Sequence, residues 1–171
     1  MNTPLKTQRL YITQFTEKMA GSVHENSLDD DNRRFIPDEV FETVDAAHMA
    51  ISTLMGFYSK NDSPLVYAVV LNDGRQIGHV QAAPIEQGWE IGYHIGGDYT
   101  GKGYATEAVQ AFLLPIMERL GISEIFGICR ADNTASIKVL EKCGFILDYN
   151  GEGNYNEQTH IIVNPQKVIC I

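Results

Sequence analysis

The chain has 171 residues, 44% of them hydrophobic and 20% charged, a balance that predicts one folded domain over 1–171 and excludes wholesale disorder. The formal net charge of −9 argues against non-specific nucleic-acid binding, and it suits either a cationic substrate or plain solubility. Apolar runs such as Ser63–Leu71 are too short to span a membrane, Met1–Lys6 has no signal-peptide core, and the widely spaced Cys129, Cys143 and Cys170 suggest neither disulfides nor a metal site, so a cytosolic protein without metal is expected.

Leu10 and Ile12 alternate with Arg9, Tyr11 and Thr13, which predicts an opening strand. Helical patterns follow around Thr16–Ser27 and Val44–Tyr58. Leu28–Phe41 between them, with its Asp29-Asp30-Asp31 and Arg33-Arg34, reads as a polar loop. Three strands are predicted next, near Leu65–Leu71, Gln76–Ala83 and Trp89–Ile95, turned at Asn72-Asp73-Gly74 and Glu86-Gln87-Gly88. The pattern breaks at Gly96-Gly97. A helix then runs from about Gly103 to Leu120, with Ala105, Ala108, Val109, Phe112, Ile116 and Leu120 on one face. Pro115 predicts a kink there or a division into two pieces.

A strand is predicted near Glu124–Arg130, and Asp132-Asn133 offers an N-cap for a helix that ends at Cys143, before Gly144. Cys143 reads as a small buried hydrophobe. Phe145–Tyr149 and Thr159–Val163 read as strands on either side of a turn region at Gly151–Gln158. Strands joined by hairpins and strands joined by helices both occur, so an α/β (α+β) fold is expected, a mixed sheet with helices on both faces.

The chemically informative segment is Tyr99-Thr100-Gly101-Lys102-Gly103-Tyr104-Ala105-Thr106-Glu107-Ala108, where a strand gives way to a long helix. Its glycines leave backbone N–H groups uncovered, and the helix start adds more N–H groups with a partial positive charge. Such a loop can hold a pyrophosphate, with Lys102 adding charge at the rim. A Walker loop would need Lys-Ser/Thr where Tyr104-Ala105 stands. A Rossmann fingerprint would need glycine or alanine at Thr106, and an acid at the end of the next strand, whereas Glu124 stands at its start.

The segment from Gly92-Tyr93-His94-Ile95 to Thr106-Glu107-Ala108 resembles the acetyl-CoA motif of the GNAT N-acetyltransferases, in which a Gln/Arg-x-x-Gly-x-Gly/Ala loop binds the CoA pyrophosphate. Gly103 and Ala105 match its last two positions, and Thr100 stands where Gln or Arg is usual. Asn133-Thr134-Ala135-Ser136 through Gly144-Phe145 is similar to a second GNAT block. Its spacing and its serine, with the opening Leu5-Lys6-Thr7-Gln8-Arg9-Leu10, resemble the RimJ/RimL-like branch.

The resemblance implies a mostly antiparallel central sheet of about seven strands, splayed between strands 4 and 5. It implies acetyl-CoA as cofactor, with Tyr93, His94, Ile95 and Gly96 near its pantetheine arm. Gly101, Lys102, Gly103, Tyr104, Ala105 and Thr106 would lie at its pyrophosphate, and Asn133 and Ser136 along its path. It implies direct attack of a primary amine on the thioester: a protein N-terminus, a polyamine or another small amine. Glu90, a carboxylate in an otherwise apolar strand, is the first candidate base, with His79, His94 and water as rivals. Many GNATs carry a tyrosine seven residues after the motif Asn, where this chain has Leu140. Ser136, Asn133, Tyr104, Tyr149 or water are left to serve the thiolate. A catalytically weak acyl-CoA sensor is the alternative, and neither the acceptor nor a homodimer is decided by the sequence.

Overall fold

The computed structural model describes residues 3–130, 132–155 and 158–166. The chain opens with Leu5–Lys6 (β1) and Leu10–Thr13 (β2), where alternation buries Leu10 and Ile12 as expected. A 3-10 turn at Glu17–Met19 leads into Ala20–Ser27 (α1). Leu28–Phe41 is not the expected loop: it holds Asp30–Phe35 (α2) and a 3-10 turn at Pro37–Glu39. The Asp29 side chain caps α2 by accepting the Asn32 N–H at 2.7 Å. Asp30 and Asp31 lie in its first turn and Arg33 and Arg34 in its last, as the helix dipole favours. Charge and capping build this helix, and a search for apolar periodicity misses it.

Val44–Phe57 (α3) starts at Thr43, whose hydroxyl accepts the Ala46 N–H at 3.1 Å. Leu65–Leu71 (β3), Gln76–Ile85 (β4) and Gly88–Ile95 (β5) form the expected antiparallel meander. Tyr104–Leu120 (α4) runs as one helix through Pro115, so the expected division does not occur. The buried face of Ala108, Val109, Phe112 and Ile116 holds the helix to the sheet past the missing proline N–H.

The single strand expected near Glu124–Arg130 is divided into Phe126–Gly127 (β6) and Cys129–Arg130 (β7), which belong to different sheets. Thr134–Lys142 (α5) leads to Ile146–Tyr155 (β8) and Gln158–Gln166 (β9). These two strands overrun their expected limits, because β9 pairs residue for residue with 151–155, from Gly151↔Ile162 to Tyr155↔Gln158. Positions 156–157 of the expected turn, and Cys170, lie outside the described residues.

The strands form a six-stranded sheet in the order β1-β2-β3-β4-β5-β6, antiparallel except for parallel β5–β6, and a three-stranded sheet in the order β7-β9-β8. The expected central sheet of about seven strands is thus one of six with a smaller neighbour. Alternate residues of β3 feed two cores. Leu65, Tyr67, Val69 and Leu71 pack with α4, while Val66, Ala68 and Val70 pack with Phe15, Ala20 and Ile51. Helices therefore cover both faces, and every residue of β3 is buried. Among the described residues no helix is long and apolar enough to cross a membrane.

Candidate active site

β5 and β6 pair at two positions only, Glu90↔Phe126 and Ile91↔Gly127. Beyond Gly127 the chain turns to the other sheet, where Cys129 and Arg130 pair with Val163 and Ile162 of β9. This is the splay expected between strands 4 and 5, shifted by one in number because β1 precedes the strand predicted first. A cleft of about 600 Å³ fills the opening, and β5 lines it from both faces. Ile91, Tyr93 and Ile95 belong to the α4 side. Glu90, Gly92 and His94 alternate with them and face the other side, opposite Ala83, Gln81 and His79 of β4.

At one end of the cleft lies the glycine loop. Gly101 and Gly103 have φ of 72° and 79°, a left-handed backbone that side chains resist. A Cβ at Gly101 would meet nothing within 4 Å, and one at Gly103 would meet only Arg9 Nη2 at 3.6 Å. Gly103 is also the N-cap of α4 and brings no side-chain cap to its first-turn N–H groups. An open backbone at the start of a 17-residue helix fits a pyrophosphate. Lys102 takes no place in the cleft lining: its ammonium donates to Asp98 O at 2.8 Å.

The opposite face is polar. His94 Nε2 lies 3.0 Å from Asp29 Oδ2, and His79 Nε2 lies 3.0 Å from Glu39 Oε2. Gln81 Nε2 donates to Glu39 Oε1 at 3.2 Å. Asn32, 1% exposed, fixes the turn that carries Glu39 by donating to Ser27 O and Glu39 O. Burial, with the neighbouring His79 charge, holds His94 below its ordinary value. Burial would raise Glu39, but His79 and Gln81 outweigh it and hold the carboxyl low. Glu90 is 7% exposed on the same face.

On the α4 side, the Tyr93 hydroxyl donates to Ser136 O at 3.0 Å and shares a 2.8 Å hydrogen bond with Ser136 Oγ. Burial raises Tyr93 strongly. Burial also pushes the Cys129 and Cys143 thiols up to about 11. Both thiols are protonated at neutral pH and so are poor nucleophiles. Asn133 caps α5, accepting the Ser136 N–H at 3.0 Å.

A profile of the acetyltransferase (GNAT) domain matches residues 9–146. The chain belongs to the GNAT acetyltransferase family. It is 32% identical over 145 residues to YnaD of Bacillus subtilis (strain 168), an uncharacterized N-acetyltransferase, covering 82% of this chain and 81% of that one. A GNAT-family acetyltransferase from Bacillus anthracis shares its fold with a TM-score of 0.78 and 27% identity over 96% of both chains. RimL, a ribosomal L7/L12 alpha-N-protein acetyltransferase solved with coenzyme A, shares the fold with a TM-score of 0.81 and 18% identity over 98% of both chains.

In this GNAT chain the cleft gathers Glu90, Tyr93, His94, Ile95, Gly101, Gly103, Tyr104, Ala105, Thr106, Asn133 and Ser136. Gly96 and Lys102 stay outside it. Gly96 instead packs against the Asn26 side chain, where a Cβ would not fit. Leu140, at the position where many GNATs have tyrosine, is 1% exposed and packs on Gly127. Sequence reasoning missed Asp29 and Glu39, which sat in the supposed loop, and Arg9, which sat in the opening block that resembles the RimJ/RimL-like branch.

Proposed function

We propose that this GNAT chain transfers the acetyl group of acetyl-CoA to a primary amine by direct attack in a ternary complex. The observation that carries the reading is the opening of the sheet beyond Ile91, which exposes both faces of β5 to one cleft. The loop Gly101–Thr106 and the Tyr93–Ser136 pair mark the cofactor half. Glu90, His79 and His94 mark the acceptor half. Acetyl-CoA supplies the thioester carbonyl and leaves as the thiol.

Glu90, a carboxylate buried in the wall of the cleft, accepts the proton of the incoming ammonium. Ser136 reaches the departing sulfur by turning its hydroxyl proton away from Tyr93, whose own proton is on Ser136 O. Asn133 acts by starting α5 and so placing Ser136. The high thiols of Cys129 and Cys143 support direct transfer over an acyl-cysteine intermediate. Among acceptors we rank a protein N-terminus ahead of a polyamine or other small amine, on the fold likeness to RimL. The reading assigns the activity to the cytoplasm and leaves a homodimer open.

Calorimetry with CoA, followed by thioester turnover against a panel of peptides, polyamines and small amines, tests the reading. CoA binding with turnover of at least one amine is expected. No CoA binding at millimolar concentration would overturn it, and binding without any turnover would replace it with an acyl-CoA sensor.

A further inference from the structure

The cleft is shaped in part by residues that never line it. Glu107, in the first turn of α4, is held from the β1–β2 turn about a hundred positions earlier in the chain. Its Oε1 accepts the Thr7 hydroxyl at 2.6 Å and the Arg9 N–H at 3.0 Å. Its Oε2 accepts Arg9 Nε at 2.6 Å and lies 2.6 Å from Arg9 Nη2. The other arm of the same guanidinium, Nη1, donates to Lys102 O at 2.9 Å. The guanidinium carbon, Cζ, lies 4.5 Å from the Tyr104 ring centroid.

We propose that Thr7 and Arg9 are positioning residues for the cofactor, a clamp that fixes the pyrophosphate loop and cancels the charge of Glu107. The proposal rests on the CoA reading above. Three physical arguments support it. First, Gly101 and Gly103 let the loop approach a ligand but leave it conformationally free, so something else must hold it. Arg9 ties its middle, through the carbonyl of Lys102 between the two glycines, to the helix turn that follows it, through the carboxylate of Glu107.

Second, an unpaired carboxylate in the first turn of α4 would compete with a phosphate for the positive end of the helix and would repel it. Arg9 removes that repulsion. Burial would raise Glu107, but the hydrogen bonds from Thr7 and Arg9 prevail and keep it ionised and paired. Third, the fork geometry is specific to arginine. A lysine ammonium is a single point charge and cannot reproduce the three separate guanidinium nitrogens used here. The clamp also gives a role to the opening Leu5–Leu10 block, and it places a cation beside Gly103 in a chain whose loop carries Thr100 instead of Gln or Arg.

The test compares CoA, dephospho-CoA and pantetheine by calorimetry in the wild type, Arg9→Ala, Arg9→Lys and Thr7→Val. Circular dichroism melts report folding, and Thr7→Val serves as the milder variant if Arg9→Ala melts early. We expect Arg9→Ala to lose at least tenfold in affinity for CoA and dephospho-CoA alike, because both carry the pyrophosphate. Pantetheine, which lacks it, should change less than twofold, and Arg9→Lys should recover only part of the loss. Wild-type CoA affinity in a folded Arg9→Ala protein would overturn the proposal, as would equal losses for pantetheine and CoA. A loss confined to CoA would also overturn it, by moving Arg9 to the 3′-phosphate. A wild-type chain that binds no CoA fails the underlying reading, and the clamp falls with it.

Discussion

His94 Nε2 sits 3.0 Å from Asp29 Oδ2, an oxygen that also accepts the Gly97 N–H at 3.1 Å. A carboxylate only accepts, so the imidazole carries its proton on Nε2 and presents Nδ1 as the lone-pair nitrogen. The groups facing His94 are His79 on β4, Asp29 ahead of α2 and Glu39 after it.

This arrangement predicts a pH-dependent stability. Burial and His79 hold His94 below its ordinary 6.5, so the unfolded chain takes up the proton first as pH falls. The stabilisation is whole above about pH 6.5 and is lost as pH drops through the lower folded value. Melting curves between about pH 7 and about pH 5 should show a larger loss of Tm in the wild type than in His94→Gln. Parallel curves for the two proteins would refute the assignment. Glu39 is likewise held below its ordinary 4.5, so its contribution is lost in a separate, more acidic window.

Glu90→Gln should lower kcat at neutral pH by roughly 10²–10⁴-fold and leave acetyl-CoA affinity nearly intact. The amide keeps the shape and cannot accept a proton. The acidic limb of kcat/KM should vanish or shift, and alkaline pH should restore part of the rate. A mutant with wild-type kcat and the same limb would move the role to His79, His94 or water.

Gly103→Val should raise the KM for acetyl-CoA in a folded protein. A β-branched residue at φ 79° carries about 1–3 kcal/mol of backbone strain. It also covers the backbone that a pyrophosphate would approach. An unchanged KM in a folded mutant would place the phosphate site elsewhere.

Leu140→Ala and Asn133→Ala should separate packing from capping. Leu140 is 1% exposed against Gly127, so its truncation should cost about 2–5 kcal/mol. Asn133→Ala removes a cap worth about 1 kcal/mol. Urea unfolding measures both. A Leu140→Ala loss no larger than the Asn133→Ala loss would contradict the packing assigned here.

Much of this was legible from residue order. The alternation of Leu10 and Ile12, the turn at Asn72–Gly74 and the face of α4 follow from apolar spacing, which is what burial selects. The glycine loop was legible because backbone approach needs glycine at Gly101 and Gly103. α2 was not, because Asp29 and the Asp/Arg charge order stabilise it with little apolar patterning. The division at Ile128 was not legible either, since a short run of β-formers does not say which sheet each residue joins. Nor were the pairs Asp29–His94 and Arg9–Glu107, which sequence distance hides.

The order β1-β2-β3-β4-β5 is also the order of synthesis, and α4 leaves the ribosome only after all five strands have done so. A nascent chain that has emerged as far as Ile95 can pair its hairpins, but the face bearing Leu65, Tyr67, Val69, Val80 and Ile91 has no helix to cover it. That apolar face waits for Ala108, Val109, Phe112 and Ile116, and until they arrive it is the surface on which incomplete chains adhere to one another or to a chaperone.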